Sequence, residues 1–271
     1  MMNLSIITIN KDNIRGLRKT MESVWAQTSK DYEWIVIDGG STDGSVELIR
    51  ENASRMAYWV SEPDSGIYEA MNKGIDAAKG DYLQFLHSGD SLATPDIVKS
   101  FLTFSEAYPE ADVIHGNTII VDQEDKKVGQ FIAPELVRLS FFWGHSLNHQ
   151  GSFFHKRCFE RFRYNEANKI ASDTELYMRL LYHGYTFVKW DRFVERFETG
   201  GLSTQYVKSA HEEVVKCANR LLPPGIKADY DEIIQNRDVD LYILIRRIIA
   251  SKRWVRNAAR LALLPFRLLL K

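Results

Sequence analysis

The sequence predicts an α/β fold in which helices flank a mainly parallel sheet. Over the first third of the 271 residues, short apolar runs alternate with segments of helical period. This alternation is typical of strand–helix–strand units, in which the crossover helix returns the chain so that successive strands lie parallel. The apolar runs also end in polar or glycine-rich turns, as strands do where a helix follows.

The first 95 residues predict four strands and three helices. The strand candidates are short and rich in β-branched or aromatic residues, and the helix candidates repeat apolar residues every three or four positions. Strands are expected at 4–9, 33–37, 57–60 and 82–86, and helices at about 14–25, after 43 to 50 and after 66 to 78. Thr42 or Asp43 is expected to cap the second helix, and Gly80 to end the third.

The pattern changes after Pro95. A helix over 96–107 precedes two apolar runs, 113–121 and 128–132, whose charged connection predicts a hairpin. Further strands are expected at 151–155 and 186–190, around a helix over 173–182. From Ser203 onward the period is helical, with a break at the Pro-Pro-Gly of 223–225.

The composition argues against several classes of protein. A formal net charge of -1 gives no global basic character for nucleic acid binding. Cys158 and Cys217 do not form a C-x-x-C pair, which argues against a zinc cluster or a disulfide framework. The N-terminus lacks a basic signal-peptide region, and no uncharged apolar run reaches the roughly 20 residues that a spanning helix needs. A cytoplasmic location is therefore expected.

Polar side chains follow three of the first four predicted strands. Thr8 and Asn10 end the first strand, Asp38 follows the second, and Ser88 and Asp90 follow the fourth. Ligands of open α/β sheets bind outside the carboxyl ends of the strands, so these groups are expected to share one site. The Asp38 carboxylate can accept a hydrogen bond from the imide of a pyrimidine base, and Asp90 offers a hard oxygen ligand to Mg²⁺ or Mn²⁺.

Two groups on helices complete the candidate site. Lys73 can reach a phosphate, and the helix start around Asp173 supplies a carboxylate that can act as a base. Each group also has a plainer interpretation, because strand-end aspartates often make turns or cap helices and a helical lysine is usually solvated. The joint pattern, and not any single residue, favours a binding site.

The joint pattern resembles the glycosyltransferases of family 2, which have the GT-A fold. The resemblance spans about residues 3–205 and depends on the order and spacing of six motifs. They are SIITIN at 5–10, WIVIDGGSTDGS at 34–45, GIYEAMNKGI at 66–75, GDYLQFL at 80–86, HQG at 149–151 and SDTEL at 172–176. The subgroup to which the sequence is most similar makes bacterial surface and capsular polysaccharides.

This resemblance implies a domain organisation. A GT-A domain is expected over 1–205, with a nucleotide-sugar-binding half at 1–95 and an acceptor and catalytic half at 96–205. A helical C-terminal extension is expected over 206–271. The reaction implied is the inverting transfer of a sugar from a nucleotide diphosphate sugar to a hydroxyl of the acceptor.

The resemblance assigns a metal site to the turn after the fourth strand. Family members carry Asp-x-Asp there, and this sequence has Ser88-Gly89-Asp90. Asp90 matches the metal-ligating acid, which implies Mn²⁺ or Mg²⁺ as the cofactor. Because Ser88 replaces the first acid, a weaker metal site is expected, with the Ser88 hydroxyl free to bond the ribose or a metal-bound water.

The resemblance also assigns the donor, the acceptor and the base. The donor is expected to be a UDP-sugar, and the acceptor a glycan or a lipid-linked glycan. Asp173 matches the general base, and Glu175 is the alternative base. Arg179, on the same helix, is expected either to orient Asp173 or to form a surface ion pair. The residues assigned to the donor are Thr8, Ile9, Asn10, Asp38, Gly39, Asp64, Lys73, Ser88 and Asp90. Those assigned to the acceptor or sugar pocket are His149, Gln150, Glu175, Gly200 and Gly201.

Two other classes of protein are compatible with parts of the pattern. A dinucleotide-dependent oxidoreductase shares the alternation of strands and helices, but it needs G-x-G-x-x-G after the first strand, where this sequence reads NKDNI at 10–14. A non-catalytic protein that binds a sugar nucleotide, or a partner in a polysaccharide assembly complex, is the more serious alternative, because the Asp-x-Asp is incomplete. Metal-dependent turnover of a UDP-sugar distinguishes these classes.

Residues 241–271 carry a basic amphipathic pattern. They contain eight basic residues and no acidic one. Four of them share one helical stripe, away from Trp254, namely Arg246, Arg253, Arg256 and Arg260. Basic charge beside Trp, Phe and Leu is typical of a helix that lies on an anionic membrane, so a peripheral location on the inner face of the cell membrane is expected. The alternative is a helix that packs on the catalytic domain and exposes its basic face to solvent.

Overall fold

The structure is a computed structural model, which describes residues 4–139, 142, 146–201 and 207–228. Residues up to Arg220 belong to one compact unit and those from Leu221 to a second. The expected basic tail at 241–271 lies outside the described residues. Among the residues that are described, no helix combines the length and the apolar content needed to cross a membrane.

Nine strands and seven helices carry the fold of the described residues. The strands are β1 (Leu4–Asn10), β2 (Tyr32–Asp38), β3 (Tyr58–Ser61), β4 (Tyr82–Phe85), β5 (Ser91–Leu92), β6 (Val113–Val121), β7 (Lys127–Phe131), β8 (Ser152–His155) and β9 (Phe187–Glu198). The helices are α1 (Ile14–Trp25), α2 (Ser45–Glu51), α3 (Ile67–Ala77), α4 (Ile97–Ala107), α5 (Arg157–Arg161), α6 (Ser172–Tyr182) and α7 (Val207–Leu221). A short 3₁₀ turn follows α2 at Ala53–Arg55.

All nine strands form one mixed sheet. Its order is β3-β2-β1-β4-β8-β6-β9-β5, with β7 paired to β6. The first four strands in this order run parallel, as the βα alternation predicts. The antiparallel strand β8 then joins β4 to β6, so the second half of the sheet is mixed. The predicted hairpin of β6 and β7 is confirmed.

The register of the parallel strands brings the polar strand ends together. Every residue of β1 is buried, because helices cover both faces of this part of the sheet. Asn10 at the end of β1 lies beside Asp38 at the end of β2. Leu86 and Ser88 continue along β1 by donating backbone hydrogen bonds to Ile7 and Ile9. The carboxyl ends of β1, β2 and β4 therefore meet at one edge of the sheet.

Aromatic side chains fill the core beneath this edge. The rings of Phe101 and Phe153 stack with centroids 3.8 Å apart, and both lie against Trp190. Burying an aromatic ring contributes on the order of 2–3 kcal/mol, so these contacts tie α4, β8 and β9 into one core.

Two local expectations are corrected by the structure. Gly44 is the residue that precedes α2, at φ 95°, a left-handed conformation that neither Thr42 nor Asp43 adopts readily. The Asp43 carboxylate instead accepts a hydrogen bond from the Ser45 N–H at 3.0 Å. Helix α3 ends at Ala77, before Gly80 is reached.

Strand β9 is much longer than the predicted strand at 186–190. The charges of Asp191 and Arg192 hide its continuation in the sequence, but Arg192 forms an ion pair with Asp96 on α4 at 2.7 Å. Beyond them, Val194 and Glu195 are fully buried in the strand. This extension matters because it carries Glu195 and Glu198 to the edge where the strand ends meet.

Candidate active site

A cavity of about 590 Å³ opens at the carboxyl ends of β1 and β4. Its volume lies within the range of ligand pockets, about 300–1,000 Å³. Nine residues assigned from the sequence line it: Ile9, Asn10, Asp64, Ser88, Asp90, His149, Gln150, Asp173 and Gly201. Thr8, Asp38, Gly39, Lys73, Glu175 and Gly200 are not among the lining residues.

Asp38 is fully buried and fixes the orientation of Asn10. Its carboxylate accepts hydrogen bonds from the Asn10 Nδ2, from the Ser41 N–H and hydroxyl, and from the Ser61 hydroxyl, at 2.6–2.9 Å. These hydrogen bonds outweigh its burial and hold the pKa of Asp38 below its usual value. Protein donors already occupy the Asp38 carboxylate, and its contact with a nucleotide base stays a prediction.

Asn10 is the polar group that β1 presents to the cavity. Because Asp38 accepts from Nδ2, the amide oxygen Oδ1 faces the other way, and it is buried without a hydrogen-bond partner among the described residues. A buried acceptor without a donor is costly, so this atom is suited to a ligand N–H. Thr8 lies two residues earlier in β1. Its hydroxyl accepts a hydrogen bond from the Trp34 Nε1 at 3.0 Å, so Thr8 belongs to the core.

The turn Ser88-Gly89-Asp90 is held in place by helix α1. Gly89 has φ 107°, a conformation that favours glycine. The Thr20 hydroxyl accepts from the Gly89 N–H at 3.1 Å and donates to the Asp90 carbonyl at 2.7 Å. Asn13 donates to the Ser88 carbonyl at 3.1 Å. The first turns of α1 therefore fix the backbone from which Asp90 projects.

Asp90 lies among other acidic groups. Its Oδ1 accepts from the Glu198 N–H at 3.0 Å, and the carboxylate also accepts from the Gln150 side chain. Burial raises the pKa of Asp90 to about 7, and the nearby Glu198 carboxylate adds to the rise. Glu195 is fully buried close by, and burial and the charge of Asp90 raise its pKa. A bound cation would favour the ionised form of Asp90 and so offset the cost of its burial.

The donor set at this turn fits a divalent cation that is shared with a phosphorylated ligand. Asp90 supplies a carboxylate, and the Ser88 hydroxyl is buried without a hydrogen-bond partner among the described residues. Within the same residues, no three His, Cys, Asp or Glu side chains converge into a metal cage. Mg²⁺ and Mn²⁺ suit such a site, because they take oxygen ligands and are commonly held by one or two carboxylates plus substrate phosphates.

The lysine in the cavity is Lys11, and Lys73 lies elsewhere. Lys73 is held by Glu62 and Glu69, each at 2.8 Å, and these hydrogen bonds raise its pKa. Lys11 lines the cavity and donates to the Gly39 carbonyl at 2.6 Å. Lysine can bind phosphate as a point charge, so Lys11 takes the position that was expected for Lys73.

Asp173 also lines the cavity, from the first turn of α6. Its Oδ1 accepts from the Thr174 N–H at 2.7 Å. Burial raises the pKa of Asp173 to about 6, which is close to the pH at which a general base works best. Beside it, the Tyr68 hydroxyl accepts from the Ser172 N–H at 3.1 Å.

Glu175 does not reach the cavity. It is almost fully buried, and its carboxylate accepts hydrogen bonds from Asn165, Asn168, Arg179 and Arg220. The expectation that Arg179 orients Asp173 is wrong in this arrangement, since Arg179 pairs with Glu175 instead. Glu175 therefore stabilises the packing of α6 and has no free oxygen to act as a base.

Two buried histidines line the wall between the metal turn and α6. The rings of His87 and His149 stack with centroids 6.0 Å apart, and His149 Nε2 bonds the Tyr164 hydroxyl. Burial lowers the pKa of both, that of His87 to about 4, so both rings are neutral near pH 7. His149 was assigned to the sugar pocket from the sequence, and the structure brings it to the cavity.

Several lining residues were not predicted from the sequence. Lys11, Asn13, Tyr68 and His87 are among them. The first two directly follow the end of β1, so their position was a usable signal. The loop 198–202, which the resemblance assigns to the border of the acceptor or sugar pocket, brings Glu198 and Gly201 to the cavity.

Comparisons with known proteins agree with this geometry. The profile of "Glycosyl transferase family 2" matches residues 5–171, which is more than half of the chain. A "PGL/p-HBAD biosynthesis glycosyltransferase" of Mycobacterium bovis is 27% identical over 227 residues, covering 82% of this chain and 86% of its own length. An "uncharacterized glycosyltransferase" of Mycobacterium tuberculosis is 49% identical over 96 residues, which are 35% of this chain and 37% of that relative, so the match spans little more than a third of its length.

Solved structures show the same fold at low sequence identity. The 1–349 fragment of S. aureus TarS superposes with a TM-score of 0.65 at 16% identity, over 84% of this chain and 69% of the fragment. The mannosyltransferase PcManGT from Pyrobaculum calidifontis superposes with a TM-score of 0.63 at 14% identity, over 98% of this chain and 82% of its own. With the profile match and the relatives, the shared fold supports one conclusion: the chain belongs to glycosyl transferase family 2 and has the GT-A fold.

Proposed function

We propose that this glycosyltransferase uses a UDP-sugar, depends on Mg²⁺ or Mn²⁺, and inverts the anomeric centre as it glycosylates a hydroxyl of a glycan or lipid-linked acceptor. The observation that carries the proposal is the joint placement of Asn10, Asp90 and Asp173 in one cavity. Asn10 supplies a site for the nucleotide base, and Asp90 supplies a site for the diphosphate. Asp173 supplies the group that accepts the proton of the acceptor hydroxyl. Cell-surface polysaccharide assembly is the process that we propose for it.

The nucleotide preference follows from the free acceptor on Asn10. Its Oδ1 has no hydrogen-bond partner among the described residues, and Asp38 prevents the amide from presenting Nδ2 instead. The imide N–H of uracil supplies the missing donor, whereas cytosine and adenine present a ring nitrogen that is an acceptor at the corresponding edge. TarS has been solved with UDP and with UDP-GlcNAc, and PcManGT with GDP-Man and Mn²⁺, which supports a base that donates an N–H.

The chemistry assigns one role to each side of the cavity. Asp90, with the Ser88 hydroxyl, would hold the divalent cation, which when bound neutralises charge on the departing diphosphate. Lys11 adds a positive charge to the cavity. Asp173 accepts the proton of the acceptor hydroxyl as that oxygen bonds to the anomeric carbon and the bond to the diphosphate breaks. A single displacement of this kind inverts the anomeric centre.

A panel of sugar nucleotides tests the proposal. In the presence of Mn²⁺ or Mg²⁺, we expect slow hydrolysis of at least one UDP-sugar and no turnover of CDP- or ADP-sugars. Calorimetry should show the same order, with UDP bound more tightly than CDP or ADP. Binding of UDP without turnover of any UDP-sugar, with or without an acceptor glycan, would instead favour a non-catalytic role.

We also propose that residues 241–271 attach the enzyme to the inner face of the cell membrane. The eight basic residues of this segment, each worth about 1 kcal/mol near an anionic surface, accompany Trp254, Phe266 and several leucines. A peripheral location would bring the active site to acceptors built on lipid carriers. The support comes from the sequence alone.

Liposome flotation tests the membrane proposal. The full chain should float with vesicles that contain anionic lipid and not with vesicles of neutral lipid, and salt should weaken its binding because the attraction is electrostatic. A protein that lacks 241–271 should stay at the bottom of the gradient. Flotation of the truncated protein, or failure of the full chain to float, would show that this segment is not the anchor.

A further inference from the structure

Helix α7 contacts the base-bearing helix α6 on both sides of Asp173. The Glu213 carboxylate accepts hydrogen bonds from three consecutive backbone N–H groups, those of Lys169 at 2.9 Å, Ile170 at 3.0 Å and Ala171 at 2.9 Å. About two turns further along α7, Arg220 donates a hydrogen bond to the Glu175 carboxylate at 3.0 Å. The two contacts enclose the short stretch that contains Asp173.

The segment held by Glu213 leads directly into the catalytic carboxylate. Ile170 and Asp173 both line the cavity, and Ala171 is the residue that precedes α6. A backbone N–H that donates no intrahelical hydrogen bond must find another acceptor, and an ionised carboxylate is the strongest one available. The Glu213 carboxylate therefore fixes the turn that sets the direction in which Asp173 projects.

We propose that Glu213 is a positioning residue for the base Asp173. It holds the loop 169–171 by three hydrogen bonds, and α7 is thereby part of the catalytic apparatus. Glu213 lies beyond residue 171, where the match to the family profile ends. The inference rests on the proposed role of Asp173. The inference adds Glu213 to the catalytic apparatus as a residue that touches neither the donor nor the acceptor.

The surroundings of Asp173 give this role an electrostatic signature. Four ionisable groups act on it: the hydroxyls of Tyr68, Tyr164 and Tyr177, and the Glu213 carboxylate. Burial raises the pKa of all three tyrosines, so they are neutral when Asp173 titrates. The negative charge of Glu213 contributes to the raised pKa of Asp173. Removing that charge should therefore lower the pKa of the base, and a merely structural contact would not.

The experiment compares Glu213→Gln and Glu213→Ala with Glu212→Gln, a matched control at the exposed neighbouring position of α7. Turnover of the best UDP-sugar is measured at saturating donor from pH 4.5 to 8, and UDP binding by calorimetry. Hydrogen exchange of the amides at 169–171 reports the contact itself without any ligand. Glutamine keeps one acceptor oxygen and removes the charge, so it serves if the alanine variant does not fold.

We expect kcat of Glu213→Ala to fall about 10- to 100-fold, since a displacement near 1 Å costs that much, with UDP affinity unchanged. Glu213→Gln should lose less of its kcat. In both variants the acidic limb of the pH profile should move to lower pH. The amides at 169–171 should exchange faster in both. Glu212→Gln should match wild type. A kcat within twofold of wild type, or an unmoved acidic limb, would overturn the role of Glu213 alone. A wild-type protein without turnover would overturn the proposed function as well.

Discussion

Replacing Asp173 with asparagine is expected to reduce turnover by about 10²–10⁴-fold while leaving UDP binding intact. Asparagine keeps an oxygen that can accept from the Thr174 N–H, so the start of α6 is preserved. It cannot accept the proton of an acceptor hydroxyl. UDP binding should persist because other lining residues, Asn10 and Asp90, are expected to make the contacts to the nucleotide base and the diphosphate.

The pH dependence of the wild-type enzyme should report the same carboxylate. Burial raises the pKa of Asp173 to about 6, and the base acts only in its ionised form. Turnover at saturating donor should therefore be full above pH 7 and fall about tenfold per unit below pH 6. An unburied aspartate, with a pKa near 3.9, would place that limb about two units lower.

Steady-state turnover and calorimetry on Asp173→Asn decide this prediction. The thermal midpoint serves as a control for folding, and Asp31→Asn, at an exposed position outside the cavity, serves as the matched substitution. If Asp173→Asn keeps more than about a tenth of the wild-type rate, too little is lost for a general base, and the assignment fails.

Replacing Asp90 with alanine should remove metal-dependent activity. Lewis-acid stabilisation of a phosphoryl leaving group is worth several kcal/mol, so a loss of at least about 100-fold is expected. The Ser88 hydroxyl alone offers no negative charge to retain the cation. Because the Asp90 Oδ1 also accepts from the Glu198 N–H, the substitution should loosen the end of β9 as well.

Metal titrations separate these two effects of Asp90. Excess EDTA should abolish turnover of the wild type, and added Mn²⁺ or Mg²⁺ should restore it, while Zn²⁺ should not substitute because the site lacks nitrogen and sulfur ligands. Calorimetry with Mn²⁺ and UDP should show tight joint binding to wild type and not to Asp90→Ala. Full activity of the wild type in EDTA would refute the metal role whatever the variant does.

The parallel half of the fold could be predicted from the sequence because its strands are buried on both faces. Such strands read as continuous apolar runs, and the predicted strand at 4–9 differs from β1 by one residue. Strand β9 could not be predicted in full, because its charged residues find partners on α4 and elsewhere that only the tertiary structure supplies. The antiparallel β8 was expected as a strand, but its place beside β4 was not.

The candidate site was predictable where a residue's position follows from the chain alone. Asn10 ends β1, and Ser88 and Asp90 lie in the turn after β4, so the two strands bring these residues to the edge of the sheet. Asp173 and Glu175 lie about 200° apart around a helix, since each residue advances about 100°, so they could not both face one cavity. The choice between them depends on Arg220, which comes from another helix.

Two donor residues could not be placed without the packed structure. Whether Asp38 faces a ligand or its own turn depends on the Ser61 hydroxyl of the neighbouring strand. Whether Lys11 or Lys73 enters the cavity depends on the rotation of α3, which buries Met71 and Ile75 and thereby turns Lys73 toward Glu69. In both cases the local sequence permits either arrangement, and the tertiary packing determines which one forms.

The central claim is that one cavity binds a UDP-sugar and that Asp173 activates the incoming hydroxyl for a single displacement. The anomeric configuration of the first-formed product tests this claim most directly. It is monitored by proton NMR on fresh reaction mixtures, before the anomers of the free sugar equilibrate. From an α-linked UDP-sugar, we predict the β product, whether the acceptor is water or a glycan. Release of the α product would show a reaction with retention, which a single displacement with Asp173 as the base cannot give.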